Sequence, residues 1–140
     1  MSDWKFSNFR KLDNPIIDKF GIKYYSVENA YQASKSNDAN FRSQISIMDP
    51  AMSKKMGRKV ELVDNWDEIK VDVMRKCLRQ KFGNNDDLKK ELIDADENEL
   101  HEINYWHDNY WGKCGCDKCK DIEKMDMMFV LLKEIRKEKK

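Results

Sequence analysis

The sequence predicts an α+β fold that is mainly helical, with a small β-sheet built from the N-terminal third. The strongest sign is the segment 66–82, where apolar residues recur at i, i+3, i+7, i+8, i+11, i+12 and i+16 and so share one helical face. The first 27 residues look extended, because the short aromatic and β-branched runs "FSNF" and "IKYYSV" are separated by turn-prone residues at 13–15 and by Gly21. With 140 residues, the chain most simply forms one domain over 1–140.

The remaining helices follow from their end signals. Ser26 offers an N-cap for a helix over residues 27–35, and Glu28 lies in its first turn. A second helix is predicted over 38–48, and Pro50 begins a third that ends at Gly57, since proline is favoured at the first helical position. A shorter helix covers 86–95, and the last begins near Lys124 with its apolar residues facing inward, namely Met128, Phe129, Leu132 and Ile135.

Composition and charge narrow the class of protein. The 27 basic and 26 acidic residues are interspersed and give a net charge of +1, which argues against a general nucleic-acid binder but allows a local phosphate pocket. The N-terminus lacks a basic segment followed by an apolar one, and no apolar run approaches roughly 18 residues. We therefore expect a cytoplasmic protein without a membrane partner.

The cysteines allow two interpretations. Three are crowded at C-x-C-x2-C spacing, namely Cys114, Cys116 and Cys119, and in the cytoplasm we expect them to be reduced. A structural zinc site needs a fourth ligand. The candidates are His107, Cys77 and His101, but Cys77 lies on the apolar face of the long helix, and His107 precedes Cys114 by an unusual seven residues. The spacing therefore favours free thiols in a polar loop, with zinc as the minority alternative.

Two carboxylates lie in segments that suit a ligand site. Asp108 stands among the aromatic residues of "NYWHDNYWG", and such rings can stack on a nucleobase, although for any one ring taken singly a place in the core is the better interpretation. Glu28 is in the first turn of a helix, where the dipole favours the ionised form and hence a base, nucleophile or cation stabiliser. Arg58 follows Gly57 and is either a phosphate clamp or a solvated arginine at a helix end.

Six segments in order resemble the YbiA-like or NADAR superfamily: "FSNF" (6–9), "SVENAYQASK" (26–35), "DPAMSKKMGR" (49–58), "NWDEIKVDVMRKCLRQKF" (65–82), "NYWHDNYWG" (104–112) and "LLKEIR" (131–136). The resemblance implies a YbiA-like fold and an N-glycosidase of the hydrolase class. Members cleave phosphoribosylamino-pyrimidine intermediates of riboflavin synthesis or remove ADP-ribose from modified guanine. It implies a small nucleotide-like substrate or an ADP-ribosylated base, no cofactor, no metal and no obligate protein partner.

The resemblance also assigns site residues. Glu28 and Asp108 are expected to be catalytic. The expected substrate-binding residues are Asn8, Gln32, Lys35, Arg58, Trp66 and Trp111. The chain departs from the family where an "N-x-x-G"-like element usually begins the last helix, because Asp126 and Phe129 stand there. Phenylalanine prevents the close approach that glycine allows, so an alternative function is a non-catalytic module that binds ADP-ribose or a nucleotide.

Overall fold

The computed structural model describes residues 4–140, and residues 1–3, the start of the segment predicted to be extended, lie outside it. The chain forms two compact units. The N-terminal unit comprises Asn8–Asp86, and the C-terminal unit joins the chain up to Ser7 with Asp87–Lys140. The single domain predicted over 1–140 stays a prediction.

The N-terminal unit contains a short hairpin followed by four helices. Strands β1 (Ile16–Ile17) and β2 (Lys23–Tyr24) pair antiparallel, with Ile16 opposite Tyr24. Gly21 turns the hairpin with a φ of 77°, a left-handed conformation that suits glycine. The helices are α1 (Val27–Ala33), α2 (Ala39–Ser46), α3 (Pro50–Gly57) and α4 (Trp66–Asn84). The N-terminal sheet and each of these helices were predicted.

A buried ion pair ties the hairpin to α2. Asp18 Oδ2 lies 3.1 Å from Nη1 of Arg42 and also accepts the hydroxyl of Tyr24 at 2.7 Å. The second carboxylate oxygen accepts the backbone N–H groups of Phe20 and Ile22. Burying the two charges costs desolvation free energy, and the additional hydrogen bonds to the carboxylate offset part of that cost.

Helix α1 is buried along its whole length. Its N-cap Ser26 accepts the N–H of Asn29, as the cap residue predicts. Asn29 is 3 % exposed, and its Nδ2 donates to the carbonyls of Ile45 and Met48, each at 2.8 Å. A buried amide therefore joins α1 to the end of α2.

The C-terminal unit has two helices and a small parallel pair of strands. Helix α5 spans Asp86–Asp94, and α6 spans Met127–Lys139. Strand β3 (Ile103–Asn104) pairs with β4 (Lys113–Cys114), a pairing that was not predicted. The core of this unit includes Phe6, Leu92, Leu100, Met128, Leu131, Leu132 and Ile135. The predicted class, a mainly helical α+β fold, is confirmed.

Three apolar residues assigned to helix faces are not in the core. Ile69 of α4 is 38 % exposed, and Val73 of α4 and Phe129 of α6 are only half-buried. Ile69 lies on the rim of an open groove of about 680 Å³ beside Leu62 and Val63, so the apolar stripe of α4 is wider than its buried part. Among residues 4–140, no helix combines the length and the apolar character that crossing a membrane requires.

We predict that Asn29→Ala lowers the free energy of unfolding by about 2 kcal/mol, because it removes the two hydrogen bonds that the buried amide donates to the carbonyls of Ile45 and Met48. Urea denaturation measures the change. Asn40→Ala, at an exposed position of α2, is the matched control and is expected to stay within about 0.5 kcal/mol of wild type. Equal losses in the two variants would contradict the role of Asn29.

Candidate functional site

Glu28 is a buried carboxylate at the start of α1. It is 8 % exposed, and its backbone N–H donates to the carbonyl of Asn8 at 2.9 Å. Its Oε2 accepts Nε2 of Gln32, one helical turn later, at 2.6 Å. The structure therefore brings together three predicted site residues, Glu28, Gln32 and Asn8.

The pKa of Glu28 is raised, contrary to the expectation that the helix dipole would favour its ionised form. Burial raises the pKa most, because it penalises the charged carboxylate. The hydrogen bond from Gln32 and the positive charges of Lys54, Lys35 and Arg58 lower it, but not enough to outweigh burial. Glu28 thus holds a proton more readily than an exposed glutamate, and its conjugate base is a stronger proton acceptor.

The cations that act on Glu28 come from two elements. Lys35, just after α1, is half-buried, and its Nζ lies 5.8 Å from the centre of the Tyr31 ring. Burial lowers the pKa of Lys35, the Glu28 carboxylate opposes this, and the nearby charges of Arg58 and Lys54 add to it. These groups form a basic cluster, defined as Lys35, Lys54 and Arg58, beside one buried carboxylate.

Lys54 was not among the site residues predicted from the sequence. It lies in α3 four residues before Arg58, the cap residue that follows the helix, and residues four apart share a helix face. That spacing was the available signal, but lysines at such spacing are common on solvated faces. Nζ of Lys54 lies 6.0 Å from the centre of the Phe9 ring.

Gly57 allows α1 and α3 to approach closely beside the carboxylate. A Cβ atom at Gly57 would lie 1.9 Å from Oε1 and 2.8 Å from Cδ of Gln32. Gln32 is 4 % exposed, and its Oε1 has no hydrogen-bond donor among the described residues. Because position 57 carries no side chain, there is room for the Gln32 side chain that donates to Glu28.

Trp66 is the first residue of α4 and is 7 % exposed. Its ring packs on Tyr31 with 5.2 Å between centroids and an interplanar angle of 57°. This contact connects α4 to α1. The groove of about 680 Å³ in this unit is lined by residues such as Arg42 and Leu62 and by none of the predicted site residues. Substrate contact by Trp66 stays a prediction.

In the C-terminal unit, Asp108 organises a turn. Its Oδ1 accepts the backbone N–H groups of Tyr110 and Trp111, each at 3.0 Å. Its own backbone N–H and carbonyl are held by the side-chain amide of the fully buried Asn104. The carbonyl of Trp111 accepts the N–H of Met128 at the start of α6. The catalytic role of Asp108 and the substrate contact of Trp111 stay predictions.

Asp126 and Phe129, the two residues at which the chain departs from the family pattern, both contact the side chain of His101. Nδ1 of His101 lies 2.5 Å from Oδ2 of Asp126, which is the N-cap residue of α6 with a left-handed φ of 49°. The His101 ring stacks on Phe129 with 3.7 Å between centroids and an angle of 14°. Phe129 therefore occupies space that a glycine would leave open, as the sequence suggested.

The cysteine-rich segment does not form a loose loop. All four cysteines of the chain are free thiols, and Cys77 is buried in α4, where burial raises its pKa to about 12. Burial by itself would also raise the pKa of Cys114, but hydrogen bonds from Cys116 and from the backbone of His107 outweigh it and lower the pKa to about 6. His107 and the three clustered cysteines bring their ligand atoms within 4.8 Å of one another.

A solved structure and several known proteins are similar to this chain. The NMR structure of the Escherichia coli protein YbiA matches 96 % of this chain and 76 % of its own, with a TM-score of 0.74 and 32 % sequence identity. The N-glycosidase YbiA of E. coli K12 is 35 % identical over 120 residues, which is 83 % of this chain and 72 % of YbiA. An N-glycosidase of Nostoc punctiforme is 32 % identical over 119 residues, 81 % of this chain and 73 % of that protein.

A riboflavin biosynthesis protein of Vibrio vulnificus is 31 % identical over 98 residues, 68 % of this chain and 26 % of that longer protein. The family model of the NADAR domain matches residues 1–138. This chain therefore belongs to the NADAR domain family, as its sequence motifs predicted. The prediction of an N-glycosidase agrees with the names of these relatives.

We predict that Gly57→Ala displaces Gln32 and lowers the free energy of unfolding by about 1–3 kcal/mol, because the added methyl group overpacks the α1–α3 contact. Thermal or urea unfolding measures the loss. Lys55→Ala, an exposed position in the same helix, is the control and should unfold like wild type. A Gly57→Ala variant with unchanged stability would show that the contact between the two helices can relax.

The raised pKa of Glu28 makes the free energy of unfolding depend on pH. A raised pKa means that the folded state binds the Glu28 proton more tightly than the unfolded chain does, so this stabilisation is present below the ordinary value of 4.5 and is lost as pH rises through the folded-state pKa. The unfolding free energy of Glu28→Gln should therefore increase relative to wild type between about pH 4 and pH 8. Glu61→Gln, at an exposed glutamate, should follow wild type. A constant difference between Glu28→Gln and wild type would contradict the raised pKa.

Proposed function

We propose that this protein is an N-glycosidase that hydrolyses the ribosyl C–N bond of a phosphoribosylamino-pyrimidine, an intermediate of riboflavin synthesis, and releases ribose 5-phosphate. The observation that carries the proposal is the buried Glu28 carboxylate beside the basic cluster of Lys35, Lys54 and Arg58. The carboxylate would act at the C1′ carbon of the sugar, and the cations would bind the phosphate.

The chemistry follows from the transition state. As the bond between C1′ and the exocyclic nitrogen breaks, positive charge develops on the ribosyl ring, and a negative group nearby stabilises it. Water then adds to C1′, and Glu28 accepts a proton from that water and passes it to the departing nitrogen, which leaves as a free amine. The raised pKa supports this role, because a carboxylate with a pKa nearer the working pH is a better general base.

The basic cluster supports a phosphorylated substrate. Arg58 is exposed at the end of α3, and a guanidinium matches phosphate geometry with two parallel hydrogen bonds. Lys35 is half-buried beside Tyr31, so its ammonium group is already partly desolvated for an anionic partner. A bound phosphate would also relieve the repulsion between these neighbouring cations.

The relatives support the choice of base. One of them carries the name of a riboflavin biosynthesis protein, and the match covers 68 % of this chain and 26 % of that longer protein. ADP-ribosylated guanine is the second substrate that the family resemblance suggests, and its ribose and phosphate groups would use the same carboxylate and cations. Asp108 lies in the C-terminal unit, and its catalytic role of orienting sugar hydroxyls is expected from the family resemblance alone. No cofactor takes part in these steps.

The experiment incubates the full chain with each substrate and measures release of the base and of the sugar phosphate. We expect Glu28→Gln to lower kcat/KM at least about 100-fold, as removal of a general base does. Glu61→Gln is the control and should keep wild-type activity. Arg58→Ala should raise KM for the phosphorylated substrate more than for its dephosphorylated analogue.

The stacked Phe129 favours one alternative, a module that binds ADP-ribose or a nucleotide without turnover. Calorimetric binding of ADP-ribose that survives Glu28→Gln, together with no turnover by the parent protein, would support that alternative. Absence of base release from both substrates at high enzyme concentration would overturn the proposed activity.

A further inference from the structure

The cluster of His107, Cys114, Cys116 and Cys119 has the geometry of a metal site. Nδ1 of His107 lies 3.3 Å from Sγ of Cys119, 3.4 Å from Sγ of Cys116 and 3.8 Å from Sγ of Cys114. A tetrahedral zinc with bonds of about 2.0–2.1 Å to nitrogen and about 2.3 Å to sulfur separates such atoms by about 3.6 Å. The observed distances bracket that separation.

Hydrogen bonding by itself does not account for this arrangement. A neutral imidazole has one N–H donor and one acceptor nitrogen, so a single Nδ1 cannot serve three thiols at similar distances. An odd set of three sulfurs cannot all pair as disulfides, and each is a free thiol. A cation at the centre of the four atoms gives each of them a partner.

The backbone around the cluster is arranged for thiolates. The N–H groups of His107 and Cys116 donate to Sγ of Cys114, and those of Lys118 and Cys119 donate to Sγ of Cys116. Hydrogen bonds to the sulfurs orient and stabilise the thiolate ligands of a metal. His107 also has a left-handed φ of 69°, which costs of order 1–3 kcal/mol for a residue other than glycine. The residue at this strained position carries the imidazole whose Nδ1 lies within 3.8 Å of all three sulfurs.

We propose that His107, Cys114, Cys116 and Cys119 bind a structural zinc ion. The four ligands complete a tetrahedron and leave no position for water, which is the mark of a structural site and not of a catalytic one. The ion would join the segment before Asp108 to strand β4 and the turn at 117–119. Zinc thus holds the polar turn that the short β3–β4 pair could not hold by itself.

The four proposed ligands could be predicted only in part from the sequence. C-x-C-x2-C supplied three ligands, and His107 was one of three candidates for the fourth, at a spacing that did not favour it. The parallel pairing of β3 with β4 brings position 107 back to the cysteines. The proposal does not depend on the proposed glycosidase activity, since its readouts are metal content and thiol reactivity.

The first experiment is metal analysis of the full chain purified without chelator. We expect about one zinc ion per chain. His107→Ala and Cys116→Ser should each reduce retained zinc at least about tenfold, since even changes outside the ligand shell can cost that much. Cys77→Ala is the control, because Cys77 is a buried thiol outside the cluster, and it should keep the wild-type zinc content.

A second measurement uses only wild-type protein and so does not depend on how the variants fold. The clustered thiols should react with a thiol reagent only after EDTA removes the metal, and cobalt(II) added to the stripped protein should give the charge-transfer absorption of tetrahedral thiolate coordination. Stripped protein that fails to bind added zinc in competition with a chromophoric chelator would overturn the proposal. A disulfide within the cluster of metal-free native protein would also overturn it.

Discussion

The complete burial of helix α1 is the constraint on which the N-terminal unit depends. Each residue from Val27 to Ala33 is buried, although three of them carry polar side chains. Buried polar groups must find partners inside the protein, because lost hydrogen bonds to water cost free energy. Asn29 meets this demand by binding the end of α2, and Gln32 meets it in part by binding Glu28. The path of the chain after α1 follows from these bonds.

The same burial produces the chemistry of the candidate site. A carboxylate at a helix start would ordinarily ionise easily, but loss of water outweighs the dipole at Glu28 and raises its pKa. Gly57 lets α3 approach closely enough to place Lys54 and Arg58 near that carboxylate. Packing and reactivity are therefore not separable here, since the contact that excludes water also supplies the cations.

In the C-terminal unit, hydrogen bonds of polar side chains hold the segment between β3 and α6. Few side chains of this segment are buried, although the segment contains two tyrosines and two tryptophans. Bonds to single polar atoms hold it instead, as when the side chain of Asn104 fixes the backbone of Asp108 and the side chain of Asn109 accepts the N–H of Cys114. The proposed zinc ion would extend this pattern, because one ion would join four side chains of a segment that has little buried apolar surface.

The sequence by itself determined the helices and the family. Periodicity over 66–82, the cap Ser26 and Pro50 at a helix start are local signals, and local propensity acts on them directly. The tertiary structure decided the rest. Strands of two residues such as β3 and β4 are too short to show alternation, and the ionisation of Glu28 depends on burial by distant segments. His107 meets the cysteines only because the chain folds back on itself, which residue spacing does not encode.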